Sequence, residues 1–304
     1  MKSKFLILLS VVILVSCENK IDLTPGLEKF DVSVEKQTVK VNEEVVFSFQ
    51  GNPDLISFYS DEDFHQYDFR DGRVIEVDST MLLIASSTPT LEGGQADQFS
   101  VLVSSNYKDE GQDYDDVTKA DWTDITHLFE LATTGFFVRS EVSISDYIDG
   151  NKPFVLAFRY KNNLENGLPK KWIVNLFEVI ARTESLGDLR IGAMNSASFR
   201  IIEQYPDNPS KSTVSVSQIS LLGADADNGV GPMETWGVSR EYSSGNLDVG
   251  PDRAIGIKGT DNDMDIFRYS YTKPGSYDVV FVAKNANVDQ EKEVIKTLEI
   301  IVEE

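Results

Sequence analysis

One cysteine and two histidines are all that 304 residues contain of the commonest metal-binding and nucleophilic side chains. A single cysteine excludes a disulfide within the chain, so packing alone must hold the fold. His65 and His127 lie far apart, and no His-Glu-x-x-His is present. That leaves a zinc site without its ligands. A serine triad lacks its Gly-x-Ser-x-Gly elbow as well. Basic residues are also scarce: 28 Lys and Arg stand against 50 Asp and Glu, for a formal net charge of −22. A polyanion needs a basic face, so nucleic acid is excluded as a partner and heparin-like polymers are disfavoured. Glycosidases need two carboxylates at a set separation, but 50 acids supply such a pair by number alone. The acid excess therefore reads as a solvated surface, and the chain is read as no enzyme. With 41% hydrophobic and 10% aromatic residues the chain has the apolar material for packed cores, which a disordered chain lacks.

No apolar run reaches the roughly 20 residues of a membrane-spanning helix. The longest, Phe5 to Val15, follows Met1-Lys2-Ser3-Lys4 and is broken only by Ser10. A charged start and a short apolar core are the marks of a secretory signal, here residues 1–16. The segment ends in Leu14-Val15-Ser16-Cys17, which resembles a bacterial lipobox. That resemblance implies cleavage before Cys17, lipid on its new N-terminus, and membrane attachment through the lipid. Glu18 in place of Asp fits delivery to the outer membrane, with the folded part exposed at the cell surface. Residues 17–29 then form a lipidated tether, loop-like from Glu18 to Gly26.

Beyond the tether nearly every apolar run has period two. Val45, Phe47 and Phe49 share a face, as do Phe154, Leu156, Phe158 and Tyr160. Tyr277, Val279, Phe281 and Ala283 repeat the pattern, followed by Leu298, Ile300 and Val302. Such alternation means half-buried strands. The runs are short, bounded by turn residues, and not interleaved with long amphipathic helices. The expected fold is all-β, built of two β-sandwiches. Residues 30–60 offer about three strands and the last stretch about three more, too few for a sandwich each. Joined, they make one discontinuous Ig-like domain, residues 30–72 plus 254–304, with residues 73–253 inserted as a second domain. In Lys273-Pro274-Gly275 the glycine is expected to take a positive φ in a tight turn.

Two stretches carry family resemblances. Pro274-Gly275-Ser276-Tyr277-Asp278-Val279-Val280-Phe281, with Asn285 following, is similar to the closing hairpin of a PKD-type Ig-like domain. Gly51-Asn52-Pro53-Asp54-Leu55-Ile56-Ser57-Phe58-Tyr59-Ser60 resembles the signature of a Bacteroidetes surface lipoprotein family, domain of unknown function 5017. Members of that family carry Ser-Gly-Glu after the tyrosine, whereas Ser60 here is followed by Asp61-Glu62. The middle of the chain resembles galactose-binding-like jelly rolls. The matching residues are Phe99 to Tyr107, Trp122 to Thr126, Val155 to Tyr160, and Trp172-Ile173-Val174.

Candidate sites follow from chemistry. Sugar rings stack on exposed aromatics beside carboxylates and amides, which singles out Tyr107, Tyr114, Trp122 and Trp236, the last on a loop-like segment. Trp172 alternates with Val174 and Leu176 and is assigned to the core. Calcium takes six to eight oxygens, and three acidic clusters offer them: Asp113 with Asp115, Asp225 with Asp227, and Asp261 with Asp263. None completes an EF-hand; jelly rolls of the type resembled often carry a structural calcium, and the alternative is solvated turns in which Asp and Asn bond their own backbone. The leading expectation is a non-catalytic, glycan-binding accessory of a starch-utilisation-type uptake system, working beside an outer-membrane transporter. The alternative is a structural module that docks a partner protein at the outer membrane. A carbohydrate-active hydrolase stands third.

Overall fold

A computed structural model describes residues 22–89, 95–150, 152–223, 232–260 and 263–304. Cys17, Asp225, Asp227 and Asp261 lie outside the described residues. Among the described residues, no helix is long and apolar enough to cross a membrane. The fold is all-β, with 21 strands and one short α-helix among the described residues.

The strands run in chain order as follows. First come β1 (Asp31–Val34), β2 (Thr38–Lys40), β3 (Glu44–Gln50) and β4 (Leu55–Tyr59). Then come β5 (Arg73–Glu76), β6 (Ser79–Ser87), β7 (Phe99–Ser104), the helix α1 (Tyr114–Lys119), β8 (Thr123–Asp124) and β9 (Val138–Ser143). Next are β10 (Phe154–Asn162), β11 (Trp172–Thr183), β12 (Gly187–Ala193), β13 (Arg200–Glu203), β14 (Thr213–Val214) and β15 (Ile219–Leu221). After these are β16 (Met233–Tyr242) and β17 (Asn246–Gly250), and last β18 (Ile255–Lys258), β19 (Ile266–Ser270), β20 (Gly275–Ala286) and β21 (Glu291–Glu303). The chain divides into two compact units. One holds the described residues up to Asp71 together with Pro251–Glu304; the other is Gly72–Gly250.

Among the described residues the discontinuous unit has two sheets, ordered β1-β3-β19 and β18-β4-β20-β21-β2. Between Val34 and Thr38 the chain leaves the first sheet and joins the second, where β2 runs parallel to β21. Phe47, Phe58 and Phe281 are fully buried and meet in the core, with ring centroids 4.9 to 5.8 Å apart. Burying each such ring contributes about 1.5–3 kcal/mol. Gly51 turns the chain after β3 at φ 85°, and a Cβ there would stand 3.0 Å from the Phe30 backbone nitrogen, so only glycine fits. Asn285 is fully buried: its Oδ1 accepts from Asp54 N at 2.7 Å and its Nδ2 donates to Thr24 O at 2.7 Å. Gly275 departs from the sequence reading. It has no positive φ; it opens β20 and pairs with Val302. The long β20–β21 ladder extends to this residue and holds it extended.

The turn after β4 is where the resemblance leads one to expect a glycine and Asp61 stands instead. Asp61 adopts the left-handed conformation that glycine supplies, at φ 66°. Its carboxylate answers for the substitution. The β4–β20 pairing ends at Tyr59 and Val280, and Asp61 Oδ2 accepts the next N–H along, from Asp278, at 2.9 Å. Asp61 Oδ1 accepts from Gln66 Nε2 at 3.2 Å.

The second unit is a larger sandwich. A five-stranded sheet, β13-β16-β10-β7-β8, packs on a six-stranded one, β14-β15-β11-β6-β9 with β12 beside β11. Strands β5 and β17 form a separate pair. Inward-facing Phe99, Phe158, Phe177 and Phe199 form the centre of the core, and Trp172 stacks on Phe99 at 4.9 Å. The outer face of the five-stranded sheet is also apolar, and it carries the site.

Candidate functional site

Register lays the outer face out in rows. Pairing across β7, β10, β16 and β13 aligns Ser100, Arg159, Trp236 and Ile202 in one row. The next row toward the start of β10 is Leu102, Ala157, Val238 and Arg200. In the opposite direction Lys161 pairs with Glu234, and Gln204 N donates to Glu234 O. This face would be an exposed apolar sheet without the excursion between β7 and β8, which folds over it.

Short polar side chains shape that excursion. Asn106 and Asp121 close its two ends: Asn106 Oδ1 accepts from Asp121 N and its Nδ2 donates to Asp121 Oδ2, both at 2.9 Å. Asp113 caps α1, accepting from Asp116 N at 3.2 Å. Asp116 accepts from Gly111 N at 2.7 Å and Gln112 N at 2.8 Å. Burial pushes the Asp116 carboxyl up, but these N–H donors outweigh it and hold it below the ordinary aspartate value. Asp113 therefore organises backbone, while Asp115 stands exposed, 4.0 Å from Lys119. Asp263, in the other unit, accepts from Asn52 Nδ2 at 3.0 Å. Among the described residues no three His, Cys, Asp or Glu side chains gather as a metal cage.

The four aromatics singled out in the sequence converge beneath and within this cover. Tyr107 and Trp122 stand 5.5 Å apart, and Trp122 and Trp236 5.3 Å. Tyr114 packs against the same cluster. They do not form an open platform. Trp236 and Tyr107 are buried, while Trp122 and Tyr114 are half-buried. Trp236 is not on a loop but inside β16, under the Arg159 guanidinium, which lies 5.5 Å from its ring. The polar ends of all four are engaged. Trp122 Nε1 donates to Val117 O, and the Tyr107 hydroxyl donates to Asp109. Tyr114 Oη and Trp236 Nε1 both donate to Glu234 Oε2, at 3.0 and 3.3 Å, and Lys161 faces the other oxygen at 3.6 Å. Burial, reinforced by the neighbouring carboxylates, pushes the Tyr107 and Tyr114 hydroxyls up to about 12, so both stay donors at ordinary pH.

At the Glu234 end the face opens into a cleft of about 440 Å³. Tyr114, Lys161 and Glu234 form one side, and the amides of Gln95, Asn162, Asn163, Asn166 and Gln204 line much of the rest. The floor is a connected amide network. Gln95 Nε2 donates to Asn162 Oδ1 at 3.1 Å, and Gln95 Oε1 accepts from Gln98 Nε2 at 3.1 Å and Asn163 N at 3.0 Å. Gln98 Oε1 in turn accepts from Lys170 N at 2.8 Å. Such groups both donate and accept, and the network holds them fixed. This is a palette for hydroxyls beside an apolar ring. His65 and His127 stand elsewhere: His65 Nδ1 contacts Arg253 O at 2.6 Å, and His127 faces the Tyr147 hydroxyl at 3.3 Å.

Sequence reasoning found Tyr114 and missed the amides, because Asn and Gln scattered over 110 positions carry no local signal. Glu234 had one: it alternates with Trp236 and Val238, so a strand reading places it on the aromatic face. A family model described as a domain of unknown function (DUF5017) matches residues 16–199. No curated protein and no solved structure matches the chain.

Proposed function

We propose, from the premise that this chain belongs to the DUF5017 family, that it is a non-catalytic, glycan-binding lipoprotein on the outer face of the outer membrane. In this reading Cys17 carries the lipid. The discontinuous unit is a PKD-type Ig-like spacer, and the inserted unit is a galactose-binding-like jelly roll. The protein serves a polysaccharide-uptake system of the starch-utilisation type found in Bacteroidetes.

The observation that carries the reading is the amide-lined cleft bounded by the half-buried ring of Tyr114. An apolar face with a few fixed polar groups is the usual form of a small-ligand site. Its amides match neutral hydroxyls better than they match phosphate, for which a basic lining is needed. Binding is by capture, weak at each site, with the lipid anchor raising the effective concentration of sites at the surface.

The test is affinity electrophoresis of a soluble form beginning at Glu18, against starch, xylan, mannan and galactan. Retardation by at least one of these is expected. It should be lost in Lys161→Ala/Asn166→Ala, two exposed positions whose change leaves the core intact. Unretarded migration in every gel would overturn the reading. Docking of a partner protein draws on a different feature: Phe136 is 84% exposed, beside Phe137, at a loop tip of the inserted unit. A transporter subunit recovered by the native protein and lost with Phe136→Ser, without any retardation by glycan, would favour it.

A further inference from the structure

The outer face of the five-stranded sheet has a second hollow, of about 520 Å³, at the end away from the amide cleft. Tyr107, Lys108, Asp109 and Arg200 line it, with Val155 and Glu241 from the strand ends. The same three strands serve both hollows. β10 contributes Lys161 to the cleft and Val155 to the second hollow. β16 contributes Glu234 to one and Glu241 to the other, and β13 begins at Arg200 in the second hollow and is followed by Gln204 in the cleft. From Val155 to Lys161 is six residues, which at strand rise is about 20 Å.

What lies between is aromatic. Tyr107 edges the second hollow, Trp122 packs on it, Trp236 packs on Trp122, and Tyr114 edges the cleft. Trp122 is half-buried and stands on this line between Tyr107 and Trp236. The second hollow has a rigid wall. Arg240 donates to Ser196 O, Ile191 O and Glu241 O, so its guanidinium is fixed by backbone. Its other polar groups include Ser198, Ser239, Glu241, the Arg200–Asp109 ion pair and the exposed Lys108, which supply donors and acceptors together.

We propose that the two hollows are the end subsites of one extended binding face, and that its ligand is a linear neutral polysaccharide spanning both. This rests on the glycan reading above and adds to it a ligand class and a second site. Rings seat in the amide cleft and against Arg200–Asp109, and the chain between them passes over the half-buried Trp122. Two subsites on one rigid sheet act together, because the second contact is made at the effective concentration set by the first.

The experiment is isothermal titration with maltose and maltohexaose, xylobiose and xylohexaose, mannobiose and mannohexaose, and galactobiose and galactohexaose. A two-ring sugar is too short to reach both hollows; a six-ring sugar reaches both. The six-ring member of the recognised pair should bind about tenfold or more tighter than its two-ring partner. Lys108→Ala/Arg200→Ala should bring six-ring affinity down to the two-ring level and leave two-ring affinity unchanged. Lys161→Ala/Asn166→Ala should weaken both lengths. Equal affinity at the two lengths, or an unchanged six-ring affinity in Lys108→Ala/Arg200→Ala, would overturn the second subsite while leaving the glycan reading in place. Absence of binding by all eight sugars would overturn both.

Discussion

The turn after β4 makes a prediction whose sign runs against ordinary expectation. Asp61 sits at φ 66° and uses both carboxylate oxygens, toward Asp278 N and Gln66 Nε2. Replacing it by alanine removes two hydrogen bonds. In this half-buried setting each contributes about 1 kcal/mol. Alanine also keeps the left-handed backbone without the local bonding that eases it for aspartate, which adds about 1 kcal/mol. Asp61→Ala should therefore cost about 3 kcal/mol. Asp61→Gly loses the same two bonds but relieves the backbone, recovering about 1 kcal/mol, and gives part of that back through the freer unfolded chain. It should cost about 2 kcal/mol. Asp61→Asn keeps one acceptor and tolerates the left-handed region, so it should cost about 1 kcal/mol. The order from mildest to worst is then Asn, Gly, Ala, although alanine is the better residue almost everywhere else. Urea unfolding followed by far-UV circular dichroism measures it. Tryptophan emission does not, since Trp122, Trp172 and Trp236 all belong to the other unit. Hydrogen exchange at the Asp278 amide supplies a local check: protection should fall in Ala and Gly and persist in Asn. An alanine variant as stable as the glycine variant would refute the argument that Asp61 holds a glycine's place through its side chain.

Other perturbations give separate checks. Asn285→Ala strands a half-buried N–H at Asp54 and a carbonyl at Thr24, and should cost about 2–3 kcal/mol; trypsin should then release the segment before Phe30 at lower urea than in the native protein. Gly245→Ala puts a Cβ into the Gly150 carbonyl oxygen at a backbone of φ 73°, so the thermal midpoint read by tryptophan emission should fall by several degrees. Phe158→Ala empties the centre of the larger core and should cost about 3–5 kcal/mol by the same readout. Acid should loosen the cover over the aromatic face. The Asp116 carboxyl is held below its ordinary value in the fold, so its contribution is complete above that value and is lost as pH falls through the folded value, below about 4. Emission of the Trp122–Trp236 pair should stay flat from pH 7 to 5 and shift below pH 4, and Asp116→Asn should remove that step.

How much of this was legible depended on whether a feature is written in period. The strand pattern was: Val45-x-Phe47-x-Phe49 became β3, and Phe154-x-Leu156-x-Phe158-x-Tyr160 became the central strand of the larger sandwich. Alternation reports burial directly, because a strand slipped by one residue would turn its apolar side out. Trp236 escaped because Gly231-Pro232 before it and Gly237 after it look like loop punctuation. Gly237 instead faces inward, where the tip of the Ile219 side chain fills the space a Cβ would need. The helix α1 escaped for a related reason. Asp113-Tyr114-Asp115-Asp116 reads as an acidic loop suited to calcium, yet the same short carboxylates serve a cap and two backbone donors. Acidic residues close together offer oxygen either to an ion or to their own backbone, and composition alone does not choose between them.

The cleft was illegible for a deeper reason, and it bears on what the site is for. Its amides come from the approach to β7, the end of β10 and the loop after it, and the end of β13, brought together only by strand order. A catalytic pair or a metal site concentrates its chemistry in a few reactive side chains, which stand out in a sequence by type. A site for hydroxyl groups spreads weak interactions over many unreactive ones, and residues such as Gln95, Asn163 and Gln204 resemble surface residues until the sheet gathers them. The aromatic face has the complementary property. Tyr107, Trp122 and Trp236 stand out by type, yet most of their ring area packs inward, where it fixes the cover rather than meeting a ligand. Recognition on this face therefore falls to the two ends of the aromatic line, where the rings of Tyr114 and Tyr107 meet polar groups held rigid by backbone. Changes at Lys161 or Lys108 should alter binding with little effect on stability, whereas changes at Trp236 should unfold the face before they alter its selectivity.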